Sequence, residues 1–344
     1  MSPRAFITGI EGRGLSPAER SFLRAAEPWG FILFKRNVNE PDQVRDLVAE
    51  LRETLGRDAP VLIDQEGGRV QRLGPPHWPA YPAGAAYGAL FGADPDAGLE
   101  AARLGARLIA DDLTTLGIDV DCLPLADVPA AGADPVIGPR AYGDSAAQVS
   151  AIAQAVAAGL MEGGVLPVLK HLPGHGRANA DSHERLPVVK VDWATLEASD
   201  FQAFRPLARL PLGMTAHVVY AAIDPVEPAT TSARVIADVI RGSIAFDGAL
   251  MSDDLSMNAL AGSIAERARA ALAAGCDLAL HCNGNLQEME QVAGATPPLA
   301  GEPARRAQAA LDARTKPAPL DVSAARAAFS AMMARVSRIN PLTA

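Results

Sequence analysis

The residues best suited to chemistry gather in one stretch: Lys170-His171-Leu172-Pro173-Gly174-His175-Gly176-Arg177-Ala178-Asn179-Ala180-Asp181-Ser182-His183. His171 and His175 stand four apart, the spacing of a metal-binding pair on a helix. Pro173 and Gly174 between them defeat that geometry, because proline removes a backbone donor and both residues disfavour a helix interior. A phosphate-cradling loop is excluded as well, since no Gly-Lys-Ser/Thr follows the glycines. What remains is a strand ending in Lys170-His171, then a flexible loop with Asp181 two residues before His183. A carboxylate so placed can orient the imidazole, making it a poised acid/base on a lid.

Two further segments carry carboxylates out of apolar runs. In Gly248-Ala249-Leu250-Met251-Ser252-Asp253-Asp254-Leu255-Ser256-Met257 a strand runs directly into Asp253 and Asp254. A strand-end carboxylate suits a nucleophile or general base. It equally suits a helix N-cap followed by an acidic residue, and one aspartate can face a site while its neighbour caps. In Val61-Leu62-Ile63-Asp64-Gln65-Glu66-Gly67-Gly68-Arg69-Val70-Gln71-Arg72 the glycine pair lets the chain turn sharply after Asp64. Its carboxylates and guanidinium groups suit sugar hydroxyls, or a buried Asp–Arg pair that organises the surrounding loops.

The elements that must position these groups read as alternating strands and helices. Eight short apolar runs qualify as strands: 6–10, 31–34, 61–64, 120–125, 166–171, 213–217, 249–253 and 278–281. Helices are expected near 16–27, 41–56, 95–117, 145–162, 193–207, 232–242 and 262–274, with start signals such as Ser16-Pro17 and stop glycines such as Gly275. Such alternation is the signature of βα units around a parallel sheet, and eight strands close a (β/α)8 TIM barrel. An open dinucleotide-binding sheet should instead show G-x-G-x-x-G after an early strand, and none is there. Asp64, Asp127, Lys170, His171, His217, Asp253, Asp254 and His281 all fall at C-terminal strand ends, the face on which βα loops of a barrel converge. Segments 72–93 and 127–144, rich in Pro, Gly and Ala, read as extended loops. Residues 1–300 are expected to form the catalytic barrel. Residues 301–344 are expected to add helices at 303–314 and 322–337, packed outside it.

Composition narrows the partners. A formal charge of −9 and the lack of long Lys/Arg runs argue against nucleic acid. Three cysteines (Cys122, Cys276, Cys282) are too few for a disulfide framework and read as small buried hydrophobes. The first residues lack signal-peptide character, and no apolar run is long enough for a membrane span. The expectation is a cytoplasmic protein.

The three motifs together resemble those of family-3 glycoside hydrolases, in the bacterial N-acetylglucosaminidase branch. Supporting stretches are Phe31-Ile32-Leu33-Phe34 with Arg36-Asn37, Val136-Ile137-Gly138-Pro139-Arg140, Met214-Thr215-Ala216-His217 and Ala274-Gly275-Cys276-Asp277. The resemblance spans about residues 6–285. It implies Asp253 as nucleophile, His183 as general acid/base with Asp181 as its dyad partner, and Asp64, Arg72, Arg140, Lys170 and His171 as sugar-binding residues. It also implies a retaining reaction without metal or cofactor, on terminal β-linked N-acetylglucosamine of peptidoglycan fragments such as GlcNAc-anhydroMurNAc and its peptides. Most retaining glycosidases use two carboxylates about 5–5.5 Å apart, so a histidine in the acid/base role is a departure. Two positions differ from the family pattern: Leu172 stands where Phe is usual, and Asn258 where Glu often follows Met257. Nothing after residue 285 resembles the second α/β domain of many relatives, so the barrel's own loops must complete the site. The rival readings are a β-glucosidase of the same family, a metal-dependent barrel hydrolase using His171 and His175, and a catalytically inactive sugar-binding barrel.

Overall fold

A computed structural model describes residues 2–339; Met1 and residues 340–344, the end of the expected 301–344 segment, lie outside the described residues. Eight parallel strands form one sheet: β1 (Arg4–Thr8), β2 (Pro28–Leu33), β3 (Val61–Ile63), β4 (Val120–Asp121), β5 (Leu166–Leu172), β6 (Leu212–Thr215), β7 (Ala249–Met251) and β8 (Ala279–His281). Their order is β7-β6-β5-β4-β3-β2-β1-β8. A parallel bridge from Met251 to Leu278 joins the two ends, with the Ser252 N–H donating to the Leu278 carbonyl at 3.0 Å. The sheet is therefore a (β/α)8 TIM barrel.

Side-chain alternation along the strands explains the two-layered core. Ile7, Ile32, Leu62, Val120, Val168 and Met214 point inward and fill the barrel. Phe6, Phe31, Leu33, Ile63, Leu169 and Leu250 point outward and pack beneath the helices. Helix starts follow their caps: the Ser16 side chain accepts from the Glu19 N–H ahead of helix Pro17–Ala26, and Ser263 does the same for Glu266 ahead of helix Ile264–Ala274. Helices Pro41–Leu55, Pro95–Thr114, Ala146–Glu162 and Val235–Ser243 also stand where the sequence expects them, as does the helical stretch 193–207.

The structure corrects two expectations and adds a helix that none of the expected ranges covers. β4 ends at Asp121 rather than Leu125, because Pro124 has no N–H to give to the ladder. The chain nonetheless stays alongside β5, with the Val168 and Lys170 N–H groups donating to the carbonyls of Leu123 and Pro124 at 2.7 and 3.0 Å. Segment 72–93 is not all loop: Gly84–Ala93 is a helix. Its glycines serve packing, since a Cβ at Gly84 would come within 2.1 Å of the Arg140 carbonyl, and one at Gly88 within 2.2 Å of that of Tyr142. This helix thereby lets the backbone that carries Arg140 lie close against it. A further helix, Leu286–Ala295, begins at Asn285 and buries Met289, Val292 and Ala293.

Beyond the barrel, helix Gly301–Asp312 sends Ala307 and Ala310 to join the barrel-interior cluster with Leu299. Helix Val322–Ile339 lays Phe329 between Tyr81 and Tyr87, and its Arg326 donates to Asp112 at 2.7 Å. Among the described residues no helix is long and apolar enough to cross a membrane. Cys122, Cys276 and Cys282 are buried free thiols, and burial pushes all three thiol pKa values up.

Candidate active site

The eight residues to which the resemblance assigns roles line one cavity of about 240 Å³ at the C-terminal ends of the strands: Asp64, Arg72, Arg140, Lys170, His171, Asp181, His183 and Asp253. They arrive there by different routes. Asp64 follows β3, Lys170 and His171 lie within β5, and Asp253 follows β7 by two residues. Arg140 ends a short 3-10 turn, Gly138–Arg140, in the long loop after β4. Asp181 and His183 stand on the loop that leaves β5.

One side of the cavity is an ionic lattice. The Lys170 ammonium donates to Asp64 Oδ1 at 2.8 Å and lies 2.7 Å from Glu66 Oε1. Arg140 grips Glu66 with two parallel bonds of 2.9 and 2.7 Å, and Arg72 reaches Asp64 Oδ2 at 3.1 Å. Burial alone would push both carboxyls toward neutrality, but the neighbouring cations outweigh it and hold Asp64 and Glu66 below the usual carboxylate range. Burial likewise disfavours the Lys170 cation, and Asp64 and Glu66 more than restore it. An ammonium has three donors, and these two carboxylates account for two of them. Arg72 Nε is buried without a protein partner, and the Phe34 ring lies 5.1 Å from both the Arg36 and Arg72 guanidinium centres.

Histidines form the adjoining wall. The Asp127 carboxylate, fully buried, accepts the His175 N–H at 2.6 Å and pairs with His171 Nδ1 at 2.7 Å. That pairing fixes the His171 ring and leaves Nε2 as the edge available to the cavity. Burial opposes the Asp127 charge, and His171 with His175 outweighs it, so the carboxyl stays ionised. Burial, reinforced by His171, pushes His175 down to about 4. Its imidazole is neutral near pH 7, with Nε2 3.3 Å from the Ser182 hydroxyl and Nδ1 buried without a partner. Among the described residues, no group of three His, Cys, Asp or Glu side chains is arranged to hold a metal ion.

The two aspartates after β7 divide the work as their surroundings dictate. Asp254 is consumed by the fold: its carboxylate accepts the N–H groups of Ser256 and Cys282 at 3.0 and 3.1 Å and the Ser256 hydroxyl at 2.6 Å. Asp253 accepts the Asp254 N–H through Oδ1 at 2.8 Å, and its side chain faces the cavity. Burial resists its ionisation, but His217, His171, the Asp254 N–H and Lys170 together hold its pKa below the ordinary value. His217 itself is buried, with Nε2 2.9 Å from the Asp254 carbonyl and Nδ1 2.7 Å from the Thr230 hydroxyl. A carbonyl only accepts, so Nε2 carries the proton. At the rim His183 Nδ1 lies 2.7 Å from Asp181 Oδ1, which also takes the His183 N–H at 2.9 Å. The site thus sets a buried, ionised carboxylate and an exposed carboxylate–imidazole pair around one small polar cavity.

The model of the glycosyl hydrolase family 3 N-terminal domain matches residues 15–310. The chain belongs to glycosyl hydrolase family 3. It is 40% identical over 281 residues to a beta-hexosaminidase of Alkalilimnicola ehrlichii, covering 80% of each chain, and 41% identical to one of Methylococcus capsulatus, covering 80% of this chain and 81% of that protein. Among solved structures it resembles NagZ of Neisseria gonorrhoeae in complex with N-trifluoroacetyl-D-glucosamine, at a TM-score of 0.83 and 32% identity, with 98% of each chain covered. Family membership makes the protein a glycoside hydrolase. Glu66, His175 and Ser182 were given no role in the site by the sequence reading, and Asp127 was read only as a strand-end residue on that face. Glu66 and His175 had a signal, since each lies inside a motif beside residues that were chosen. Most of their partners come from distant parts of the chain, which spacing along it does not reveal.

Proposed function

We propose that this family-3 enzyme is a retaining, exo-acting β-N-acetylhexosaminidase that releases terminal N-acetylglucosamine from peptidoglycan fragments, the anhydromuropeptides. The observation that carries the reading is the pairing of Asp253, ionised and facing the cavity, with the His183–Asp181 pair on its rim. Asp253 attacks the anomeric carbon through an oxocarbenium-like transition state while His183 protonates the departing glycosidic oxygen. The glycosyl–Asp253 ester then accepts water, which His183 deprotonates, and the carboxylate is released. Asp181 holds the imidazole through Nδ1 and so directs Nε2 at the reacting oxygen. Lys170, Arg72, Arg140, Asp64 and His171 hold the sugar. The third Lys170 donor and the free edge of His171 are the groups offered to hydroxyl and amide oxygens. A cavity of this size suits one terminal ring rather than a chain. The relatives named beta-hexosaminidase support a hexosamine, and the N-trifluoroacetyl-D-glucosamine bound by the Neisseria structure supports an N-acylated one. A cytoplasmic place fits three cysteines that are all unpaired thiols.

Hydrolysis of a chromogenic β-N-acetylglucosaminide beside the matching β-glucoside tests the specificity, and NMR of the first-formed sugar tests the stereochemistry. The reading predicts strong preference for the acetamido sugar and initial release of the β-anomer. Preference for the glucoside, or initial α-anomer, contradicts it. Release of N-acetylglucosamine from GlcNAc-anhydroMurNAc tests the aglycone.

A further inference from the structure

Three contacts join the residues around His183 to the segment that leaves β7 behind Asp253. The Asn258 side-chain amide donates to the backbone carbonyl of His183 at 3.0 Å, and the Ala259 N–H donates to that of Ser182 at 3.2 Å. The Ser182 hydroxyl lies 3.8 Å from Met257 Sδ and, on its other side, 3.3 Å from His175 Nε2. Ser182 is only 3% exposed, whereas its neighbour His183 faces solvent. The segment that receives these contacts is itself braced. Arg267 donates to the carbonyls of Leu255 and Met257 at 2.8 and 3.0 Å, and Asp254 ties the segment to Cys282.

We propose that Ser182 and Asn258 are positioning residues that dock the acid/base loop onto the nucleophile's own exit segment. This rests on the reading of His183 as acid/base. A general acid works only within hydrogen-bond reach of the proton's destination, and small misplacements are costly. With His183 fastened to the chain that carries Asp253, both reacting groups move with one braced support. Ser182 plugs into the gap between His175 and Met257 and fixes the loop's depth. Asn258 fixes the His183 backbone itself. The Asn258 amide can donate this bond to the His183 carbonyl, which an ionised carboxylate, having no proton to give, could not.

The test compares Ser182→Ala, Asn258→Asp and His183→Ala in the full chain, on aryl β-N-acetylglucosaminides with good and poor leaving groups. Losing one such hydrogen bond corresponds to about a 3- to 10-fold effect. Ser182→Ala and Asn258→Asp should each lose that much kcat/KM on the poor leaving group. Their kcat/KM on an activated phenolate and their affinity for N-acetylglucosamine as product should stay near wild type. His183→Ala should show the same pattern, much enlarged. Asn258→Asp is isosteric and exposed, so it keeps the test valid should Ser182→Ala fold poorly. If His183→Ala discriminates between leaving groups while both docking variants behave as wild type, or lose equally on all substrates, the docking proposal is overturned and the acid/base reading stands. If His183→Ala itself loses equally on all substrates, the acid/base reading fails and the docking proposal falls with it.

Discussion

Lys170 has a side chain only 2% exposed and an ammonium seated between Asp64 and Glu66, whereas the His183 side chain is 63% exposed and meets Asp181 two residues away. The first region belongs to the barrel: its charges come from the segment after β3, from β5 and from the loop after β4, and they pair with one another before any ligand arrives. The second is a local motif on a surface loop, made by residues close in sequence and steadied by neighbours that do no chemistry. On the function proposed above, sugar recognition is thus built into the fold and inseparable from its stability, whereas the acid/base is nearly free of the fold's energetics and depends on placement. Groups that hold the ring need preorganised polarity, while the group that serves leaving oxygen and water in turn needs access.

Substitutions on the two sides should separate accordingly. The largest effect is expected where the chemistry meets the buried side. Asp253→Ala should lower turnover by about 10⁴-fold or more with the fold intact by circular dichroism. Asp254→Ala should weaken activity less, through loosening of the segment it ties to Cys282. Retained activity in Asp253→Ala with loss in Asp254→Ala reverses the two roles. Next, Lys170→Met leaves Asp64 and Glu66 facing each other without the cation between them, and breaking such a buried arrangement costs about 3–5 kcal/mol. His183→Ala should change stability by no more than about 0.5 kcal/mol, and urea unfolding of both variants measures the contrast. Asp181→Ala should come third, with a loss on poor leaving groups clearly smaller than the roughly 10²–10⁴-fold expected of His183→Ala.

The smallest effect is on pH stability. Asp64 and Glu66 have folded pKa values below their unfolded ones, so their contribution is fully present above the ordinary carboxylate range. It is lost as pH falls below that range, toward the folded values. The wild-type Tm should therefore drop below about pH 4, and Asp64→Asn should flatten that drop. Asp181→Ala should leave most of it. Equal acid sensitivity in Asp64→Asn and wild type removes the lattice from the account.

The same contrast explains what could be read from the sequence. The Asp181–His183 pair was legible, because the two are neighbours in the chain and the glycine-rich stretch before them marks a loop, but the contacts of Ser182 and Asn258 that hold the loop were not. All eight strands were legible as apolar runs, though β4 and β7 proved shorter than their apolar stretches. The lattice was only half legible. Asp64, Lys170, Arg72 and Arg140 could be named, but Glu66 as the link between Lys170 and Arg140 depends on which strands lie side by side. Asp127 stood out as a strand-end residue, yet its bonds to His171 and the His175 N–H appear only once the chain turns after β5. Helix Gly84–Ala93 hid for a different reason. Its small residues follow no amphipathic period, and the glycines that suggested a loop are there to admit the backbone of Arg140 and Tyr142.

The central claim is that Asp253 forms a covalent bond to the sugar, and trapping it is the most direct measurement. A slow fluorinated N-acetylglucosaminide with an activated leaving group should inactivate the enzyme in step with release of one leaving group per chain. Peptide mass analysis should then find the glycosyl adduct on the segment Ser252-Asp253-Asp254, with fragmentation placing it on Asp253. An adduct on Asp254, His183 or Asp64, or inactivation with no adduct and an inverted product, would contradict the account.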